Sequence, residues 1–452
     1  MLPLGFIVVN VEIRLLRIGR VWVAFFQECE FEMLKDAPLR FPRPPKKMKR
    51  KRYVPSELTP WVIGFAAGLS QASAVEPEDV FTFSAGPVKL RTSANLSESY
   101  EDNIFFSDSN EEGDFITTIS PAVVGVWGDE EQDYIRFSYG YSKLLYTDNS
   151  QANADIHAAS LSHNFERTRT SLSGQIGYQN LTTVLTGSQI LNRQSTNVER
   201  DIWTLGEQLE YRVGEKTYVA GGVRFNETDF EEGVSILDTK ETRGTLRFGY
   251  QYSEKTRLFG EMFRGKGRTT SNSARLDGPE STVMGGYLGA RGDFTTKLSG
   301  SVRLGYETRD FEDGSNAPSS PGADIELSYK ASAKNITTLS YSRGTRLSVQ
   351  AANASFLEDA VSLRMNQFLG EGGRIVATGG VRYSQRNFDD SAGGFAGRTD
   401  DVVGADIGLV YNFSIWLRGV MNYSFSSIDS SDSRVLNYTA NKVTVGLSVG
   451  YL

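Results

Sequence analysis

Arginines recur at alternate positions in several segments of this 452-residue chain. Arg243 and Arg247 are four residues apart, so they share one face of a segment that repeats every two residues. Eight arginines follow this pattern: Arg136, Arg224, Arg243, Arg247, Arg303, Arg364, Arg382 and Arg418. A guanidinium binds a carboxylate or phosphate through two parallel hydrogen bonds. A track of such groups lining a pore would favour anions and acidic sugars.

Acidic residues at the same alternating positions support a second interpretation. They are Glu210, Glu307, Asp324, Glu326 and Asp406. If these carboxylates pair with the arginines, the result is an ion-pair ladder that stiffens a wall and attracts no solute. Because charged pore linings commonly contain both signs, the sequence leaves both interpretations open.

The two histidines do not form a catalytic set in this pattern. His157 and His163 are six residues apart in one segment and share a face, whereas Ser160 and Ser162 fall on the opposite face. A hydrolase of the Ser–His–acid type needs the histidine beside its serine. We therefore expect both histidines to be polar residues of a lumen or rim. We expect no catalytic residue.

Two loop-like motifs also lack essential parts. Residues 260–267 (GEMFRGKG) resemble a phosphate loop, but no Ser or Thr follows Lys266. Residues 108–113 resemble the first half of a calcium loop, but Ile119 stands where the bidentate Glu is required. No metal site and no cofactor are expected.

The elements that position these residues alternate apolar and polar side chains. Leu246, Phe248 and Tyr250 share one face, with Arg243 and Arg247 on the other. Eighteen segments are predicted as strands, with spans 87–98, 114–127, 132–146, 154–166, 168–181, 197–213, 215–227, 239–253, 255–265, 280–292, 294–309, 322–332, 335–347, 357–368, 373–387, 400–412, 414–427 and 434–452.

The connections between these segments alternate between short turns and long loops. Backbone groups in a bilayer must pair internally, and among β structures only a closed barrel achieves this. The sequence therefore predicts an all-β fold, a single closed antiparallel transmembrane β-barrel of about 18 strands over residues 87–452. Short turns are expected in the periplasm and long loops outside. Tyrosines near segment ends are expected to form interfacial girdles: Tyr134, Tyr146, Tyr178, Tyr211, Tyr306, Tyr411 and Tyr451.

The first 74 residues differ from the rest. A basic cluster from Met48, an apolar stretch over residues 61–69 and an A-x-A site at residues 72–74 predict a signal peptide over residues 48–74. Residues 1–47 are interpreted as an upstream extension from a misassigned start codon, and residues 75–86 as a periplasmic segment. The alternative is a membrane anchor over residues 7–26, which three arginines interrupt.

The charge balance excludes a nucleic-acid partner. Of the 48 basic and 55 acidic residues, 12 and 6 lie in residues 1–74, which leaves 36 and 49 and a net charge of −13 in residues 75–452. Such an acidic chain repels phosphate backbones. Its only cysteine, Cys29, would be lost on processing.

Several stretches resemble the putative β-barrel porin type 2 family. They are VKLRTSANLSESYEDNIF (88–105), TTISPAVVGV (117–126), LRFGYQYSEKTRLFGEMF (246–263) and IGLVYNFSIWLRGVMNYSF (407–425). The resemblance covers residues 87–452. It implies a bacterial outer-membrane barrel, often linked to exopolysaccharide operons.

The resulting expectation is a porin-like channel in the outer membrane. It would pass small or oligomeric hydrophilic solutes, with acidic saccharides of a surface-polysaccharide export or uptake system as candidates. Two alternatives remain, a structural or adhesive barrel with a plugged lumen and, less favoured, a barrel hydrolase. The expected partners are outer-membrane lipid and lipopolysaccharide, the barrel assembly machinery and polysaccharide export components.

Overall fold

The computed structural model describes residues 13–18, 21–26, 81–130, 132–184, 197–231, 236–270, 278–314, 319–349, 355–370, 373–388, 397–433, 435 and 437–450. The chain forms two compact units, Met1–Pro55 and Ser56–Leu452. In the first unit, β1 (Ile13–Ile18) and β2 (Val21–Phe26) pair in antiparallel fashion. The predicted signal peptide, and the rest of the predicted extension, lie outside the described residues.

Eighteen antiparallel strands of the second unit form a closed barrel, which confirms the predicted fold. Each strand pairs with its neighbours in sequence, and the last pairs with β4 to close the barrel. The strands are β4 (Val88–Glu101), β5 (Asp114–Gly128), β6 (Tyr134–Tyr146), β7 (Ala154–Glu166), β8 (Thr170–Val184), β9 (Asn197–Arg212), β10 (Thr217–Phe230), β11 (Asp238–Gln251), β12 (Thr256–Thr270), β13 (Ser281–Asp293), β14 (Leu298–Phe311), β15 (Ser320–Ser332), β16 (Asn335–Leu347), β17 (Ser355–Leu369), β18 (Ile375–Phe388), β19 (Thr399–Asn412), β20 (Leu417–Ser430) and β21 (Tyr438–Gly450).

One further strand lies beside the closure. The short β3 (Thr82–Ala85) pairs with the first residues of β4, where Thr82 lies opposite Arg91. The last strand pairs with β4 from Ser93 onward. Part of the segment predicted as residues 75–86 therefore belongs to the sheet.

The predicted span of β12 is too short. The sequence interpretation ended this strand at residue 265, whereas the structure continues it to Thr270. Lys266 and Gly267 still pair with Thr282 and Ser281 of β13. The glycines and basic residues of this stretch are typical of a loop. The strand continues nevertheless, because strand pairing is made by backbone hydrogen bonds.

The connections alternate in length, as predicted. They contain two to five residues at one end of the barrel and seven to twelve at the other. We name these the short-turn end and the long-loop end; even-numbered strands run toward the long-loop end. A 3₁₀ turn at Ser150–Ala152 lies in one long connection. Within the described part of the chain, no helical segment has the length and hydropathy of a membrane-spanning helix.

Exposed apolar side chains identify the outer face. Phe248, Leu288 and Leu304 are 50%, 76% and 55% exposed and lie close in register on β11, β13 and β14. Outward side chains of a closed barrel have no opposite wall to pack against, so they remain exposed and face lipid in a membrane.

The predicted tyrosine girdles are only partly right. Four of the tyrosines lie on the outer parity. Tyr178 and Tyr306 are in the half of their strands nearer the long-loop end, and Tyr211 and Tyr411 are at the short-turn end. Tyr134 and Tyr146 share the inward parity of Arg136, so their assignment was wrong. That prediction used position near a segment end and ignored the alternation. Tyr451 lies outside the described residues.

Candidate functional site in the barrel interior

The structure places all eight predicted arginines on the inward parity of their strands. Arg247, for example, is 9% exposed, whereas its neighbours Leu246 and Phe248 are 38% and 50% exposed. The eight are nevertheless not equivalent, because the inner face has two regions of different character. The inner face of β9–β14 is named the packed wall, and that of β17–β21 and β4–β8 the polar wall.

Buried ion pairs hold the packed wall together. Glu261 accepts hydrogen bonds from Arg247, with its Oε2 atom 2.9 Å from Nε and 2.5 Å from Nη2. Its other carboxylate oxygen lies 3.1 Å from Nη1 of Arg303, whose Nη2 lies 3.4 Å from Asp324 on β15. Two of the eight predicted arginines, Arg247 and Arg303, are therefore neutralised, as the ion-pair-ladder interpretation of the sequence expects.

A second ion-pair layer spans several strands near the short-turn end. Glu210 of β9 accepts hydrogen bonds from Nη1 of Arg257 on β12 at 2.9 Å and from Nη2 of Arg291 on β13 at 3.1 Å. Four strand spacings amount to about 19 Å in a flat sheet, farther than these two side chains reach together. The wall therefore curves tightly here, and its side chains fill the concave side.

Aromatic rings lie between the arginines and the glycines of neighbouring strands. A Cβ atom on Gly249 would lie 2.0 Å from the Tyr218 ring, so the ring occupies the space above that glycine. Other rings cover further glycines: Phe263 covers Gly285, Phe259 covers Gly289, and Tyr287 covers Gly305. Guanidiniums lie over these rings, with Arg243 3.4 Å from the centroid of Phe263 and Arg303 5.2 Å from that of Tyr287. Such cation–π contacts stabilise an arginine without neutralising it.

Arg243 has a different environment from the paired arginines of this layer. It lies directly opposite Arg224 of β10, so two like charges are adjacent on the inner face. No ion-pair partner of Arg243 occurs among the described residues. The packed wall therefore combines arginines in ion pairs with one that lies over an aromatic ring and has no ion-pair partner among the described residues.

Beyond Arg343 the end of β16 no longer pairs with β15, stays paired with β17, and contacts residues of the packed wall. The backbone N–H of Thr345 donates to Oε1 of Glu307 at 2.5 Å, and the carbonyl of Val349 accepts a hydrogen bond from Leu237 at 2.8 Å. Val349 also packs against a buried cluster that contains Phe230. This inward segment, residues 344–349, narrows the lumen at the long-loop end.

The polar wall has mostly small hydroxyl and amide side chains. Serines of neighbouring strands hydrogen-bond directly, with 2.7 Å between the hydroxyl oxygens of Ser138 and Ser160 and 2.8 Å between those of Ser142 and Ser120. Ser448 donates to Asn95 at 2.9 Å where the barrel closes. These groups leave room beside the wall and stay available for hydrogen bonds with a solute.

Four predicted arginines project from the polar wall. Arg364 and Arg382 are diagonal neighbours on β17 and β18, because Arg364 pairs with Gly380 and Arg382 with Ser362. Arg364 is exposed and has no ion-pair partner in the part of the chain that the structure describes. Arg136 and Arg418 lie nearer the short-turn end, Arg136 at 3.8 Å from Glu130.

Sequence reasoning missed several inward residues of the packed wall. Arg309, 1% exposed, contacts Glu241 and Ser281, each at 3.0 Å. It has the same parity as Arg303, so the alternation could have identified it. The inward aromatic rings gave no such signal, because β12 has large side chains on both of its faces.

Both histidines lie on the outer face, which corrects the expectation that they could face the lumen. His157 hydrogen-bonds with the hydroxyl of Tyr139 at 2.9 Å, and His163 lies 3.1 Å from Glu207. Ser160 and Ser162 point inward on the same strand, as predicted. A catalytic set built on either histidine and these serines is therefore geometrically excluded.

The comparisons with known proteins agree with the barrel. The model of the family described as "Putative beta-barrel porin 2" matches residues 83–451. A comparison with curated protein sequences gives no match.

Similar solved structures are distant in sequence. OpdK from Pseudomonas aeruginosa, solved with vanillate, has 10% identity and a TM-score of 0.43 over 80% of this chain and 99% of that one. The siderophore receptor PirA from Pseudomonas aeruginosa has 8% identity and a TM-score of 0.42 over 80% of each chain. OccAB4 from Acinetobacter baumannii has 10% identity and a TM-score of 0.40 over 81% of this chain and 99% of that one.

Proposed function

This chain belongs to the Putative beta-barrel porin 2 family and is a porin-like outer-membrane barrel, and from that premise we propose that it passes acidic hydrophilic solutes along its polar wall. A barrel of 18 strands is wide enough to enclose an aqueous channel. The packed wall and the inward segment occupy one side of the lumen. The remaining path therefore follows the serine-rich side.

The observation that carries this proposal is the placement of Arg364. It is exposed on the inner face, lacks an ion-pair partner among the described residues, and lies beside Arg382 among hydroxyl groups. A guanidinium binds a carboxylate in two-point fashion, and serine hydroxyls hydrogen-bond with sugar hydroxyls. Acidic saccharides, such as those of a surface-polysaccharide system, have both kinds of group.

Conductance in planar lipid bilayers tests the proposal. The purified protein should form channels that favour anions, and Arg364→Glu with Arg382→Glu should shift the reversal potential toward cations, with a several-fold change in permeability ratio. In vesicle-swelling assays, glucuronate should enter faster through the wild-type protein than through the double variant. The swelling rate with glucose should differ little between the two. Lys143→Glu reverses one charge on the outer face and should leave selectivity unchanged.

Two results would contradict it. If the channel conducts and the double variant keeps the wild-type selectivity, the arginines are wall supports and the acidic-solute assignment fails. If the folded protein shows no conductance, the plugged structural barrel is favoured, an alternative that the filled packed wall already supports.

A further inference from the structure

The first long connection of the barrel, residues 102–113, begins as a continuation of the pairing between β4 and β21. The backbone N–H of Asp102 donates to the carbonyl oxygen of Asn441 at 3.1 Å. The side chain of Asp102 accepts hydrogen bonds from the backbone N–H and from the side-chain amide of Asn441, each at 2.7 Å. The connection therefore leaves the sheet only after Asp102.

Beyond that point the connection covers apolar side chains of the inner face. Ile428, Tyr438 and Ala440 lie on the inward parity of β20 and β21 and are 4%, 7% and 3% exposed. Apolar side chains at the open end of a barrel contact water unless another part of the chain covers them. The ring of Phe106 packs against this cluster, with 4.7 Å between the ring centroids of Phe106 and Tyr438. Ile104 is buried as well, so the connection adds a layer of chain inside the wall.

A single buried amide fixes the turn that carries Phe106. Nδ2 of Asn103 donates to the carbonyl oxygen of Ser107 at 2.8 Å and to that of Thr439 on β21 at 3.0 Å. Oδ1 of Asn103 accepts a hydrogen bond from the backbone N–H of Ser107 at 2.9 Å. The backbone N–H of Phe106 donates to the carbonyl oxygen of Asn103 at 3.2 Å. The Asn103 amide therefore closes the turn and ties it to the wall.

Phe106 has a backbone conformation that bulky residues rarely adopt. Its φ angle is +50°, in the left-handed region. Residues in such conformations persist only where surrounding contacts impose them, and they cluster at functional sites. Asn110 in the same connection has a φ angle of +54°, but it is exposed, and asparagine accepts this region more readily. The strained residue is thus the one that packs on the inner face.

The far end of the connection is also held in place. Asp114 is buried and accepts hydrogen bonds from the backbone N–H of Asp148 at 3.1 Å and from that of Asn149 at 2.8 Å. Both ends and the turn between them are therefore anchored. We name residues 103–107 the strap.

The strap lies next to the proposed solute path. Val402 of β19 packs against the same apolar cluster and is two residues from Gly404, or about 7 Å along the strand. Gly404 pairs with Arg382 on one side and with Ser426 on the other. A solute that enters at the long-loop end and follows the polar wall to Arg382 passes the strap first.

We propose that the strap sets the size limit for entry along the polar wall, with Phe106 as the narrowing side chain and Asn103 as the residue that positions it. Apolar constrictions restrict passage through a pore by their bore and by their poor wetting. The limit acts on a transported solute only if the barrel is a channel, so this role rests on the proposed function.

A variant that releases the strap tests the size limit. Asn103→Ala together with Phe106→Gly removes the amide and the ring, and glycine accepts the left-handed backbone without strain. Conductance in planar bilayers should rise several-fold, and vesicles should swell in neutral polyethylene glycols that the wild-type protein excludes. The matched control, Asn110→Gly, changes the exposed left-handed residue of the same connection and should alter neither measurement.

Cysteine labelling tests the strap without requiring conduction. Ser424 lies on the inward parity of β20, four residues from Ile428. Ser424→Cys is combined with Cys29→Ser, so that the new thiol is the only one in the chain. In detergent, a maleimide that carries a polyethylene glycol chain should react several-fold faster after release of the strap. N-ethylmaleimide, which is small, should react at similar rates with and without the strap.

The outcomes separate the strap from the channel. If neither protein conducts but release accelerates labelling by the bulky maleimide, the strap narrows the mouth and the proposed channel function fails. If the wild-type protein conducts and the released variant keeps its size limit and labelling rates, the strap inference is overturned. Heat-modifiable gel mobility shows whether each variant is folded. Phe106→Gly alone keeps the Asn103 hydrogen bonds, guards against misfolding of the double variant, and should give a smaller change in the same direction.

Discussion

On the packed wall, Glu261 contacts two arginines of neighbouring strands, whereas on the polar wall Arg364 faces the lumen without an ion-pair partner among the described residues. Arg247 and Arg364 both lie on the inward parity of their strands. They differ in whether the pairing register brings an inward carboxylate within reach. A charged residue on the inner face of a barrel therefore indicates a solute site only when its neighbours leave it exposed.

The largest expected effect tests the buried pairs of the packed wall. Glu261→Ala should destabilise the barrel by about 3–5 kcal/mol, because it leaves the buried guanidinium of Arg247 without its carboxylate and leaves Arg303 with Asp324 alone. Urea unfolding in lipid vesicles, followed by tryptophan fluorescence, measures the loss. Asp406→Asn, which changes a polar-wall acid with no ion pair among the described residues, should cost less than about 1 kcal/mol. Equal losses in both variants would remove the distinction between the walls.

A pair of adjacent residues tests whether the polar wall is wet. Leu363 and Ser362 lie next to each other on β17, with Leu363 44% exposed on the outer face. Leu363→Arg should cost about 2–4 kcal/mol, because it places a charge in the lipid-facing band, whereas Ser362→Arg should fold almost normally. The yield of folded barrel on refolding into vesicles compares the two. A similar loss for Ser362→Arg would indicate that the polar wall is as closed as the packed wall.

The smallest expected effect concerns the glycines beneath the aromatic rings. A methyl group on Gly249 would collide with Tyr218, while the nearest atom to a Cβ on Gly140 of the polar wall is Ala122 Cβ at 3.9 Å. Gly249→Ala should cost about 1–3 kcal/mol from overpacking. Gly140→Ala should be neutral or slightly stabilising, since alanine restricts the unfolded chain. Unfolding midpoints that move together would show that Tyr218 can reorient.

The sequence predicted most of the fold and the orientation of the candidate site. Alternation and turn composition are local, so they located eighteen strands and placed Arg247 and Leu246 on opposite faces. They failed where composition and pairing disagree, as at the loop-like end of β12. The prediction of Tyr134 as a girdle residue also failed, because it used the position near a strand end and not the alternation.

The sequence by itself determined the barrel of about 18 strands, the alternation of short and long connections, and the face of the eight predicted arginines. It did so because a period of two residues is a property of the chain alone. Only the tertiary structure decided which arginines are neutralised. The contact between Arg291 and Glu210 joins residues 81 positions apart across four strand spacings. Such contacts depend on register, on the curvature of the wall and on the rings that lie over glycines, and none of these has a local signature.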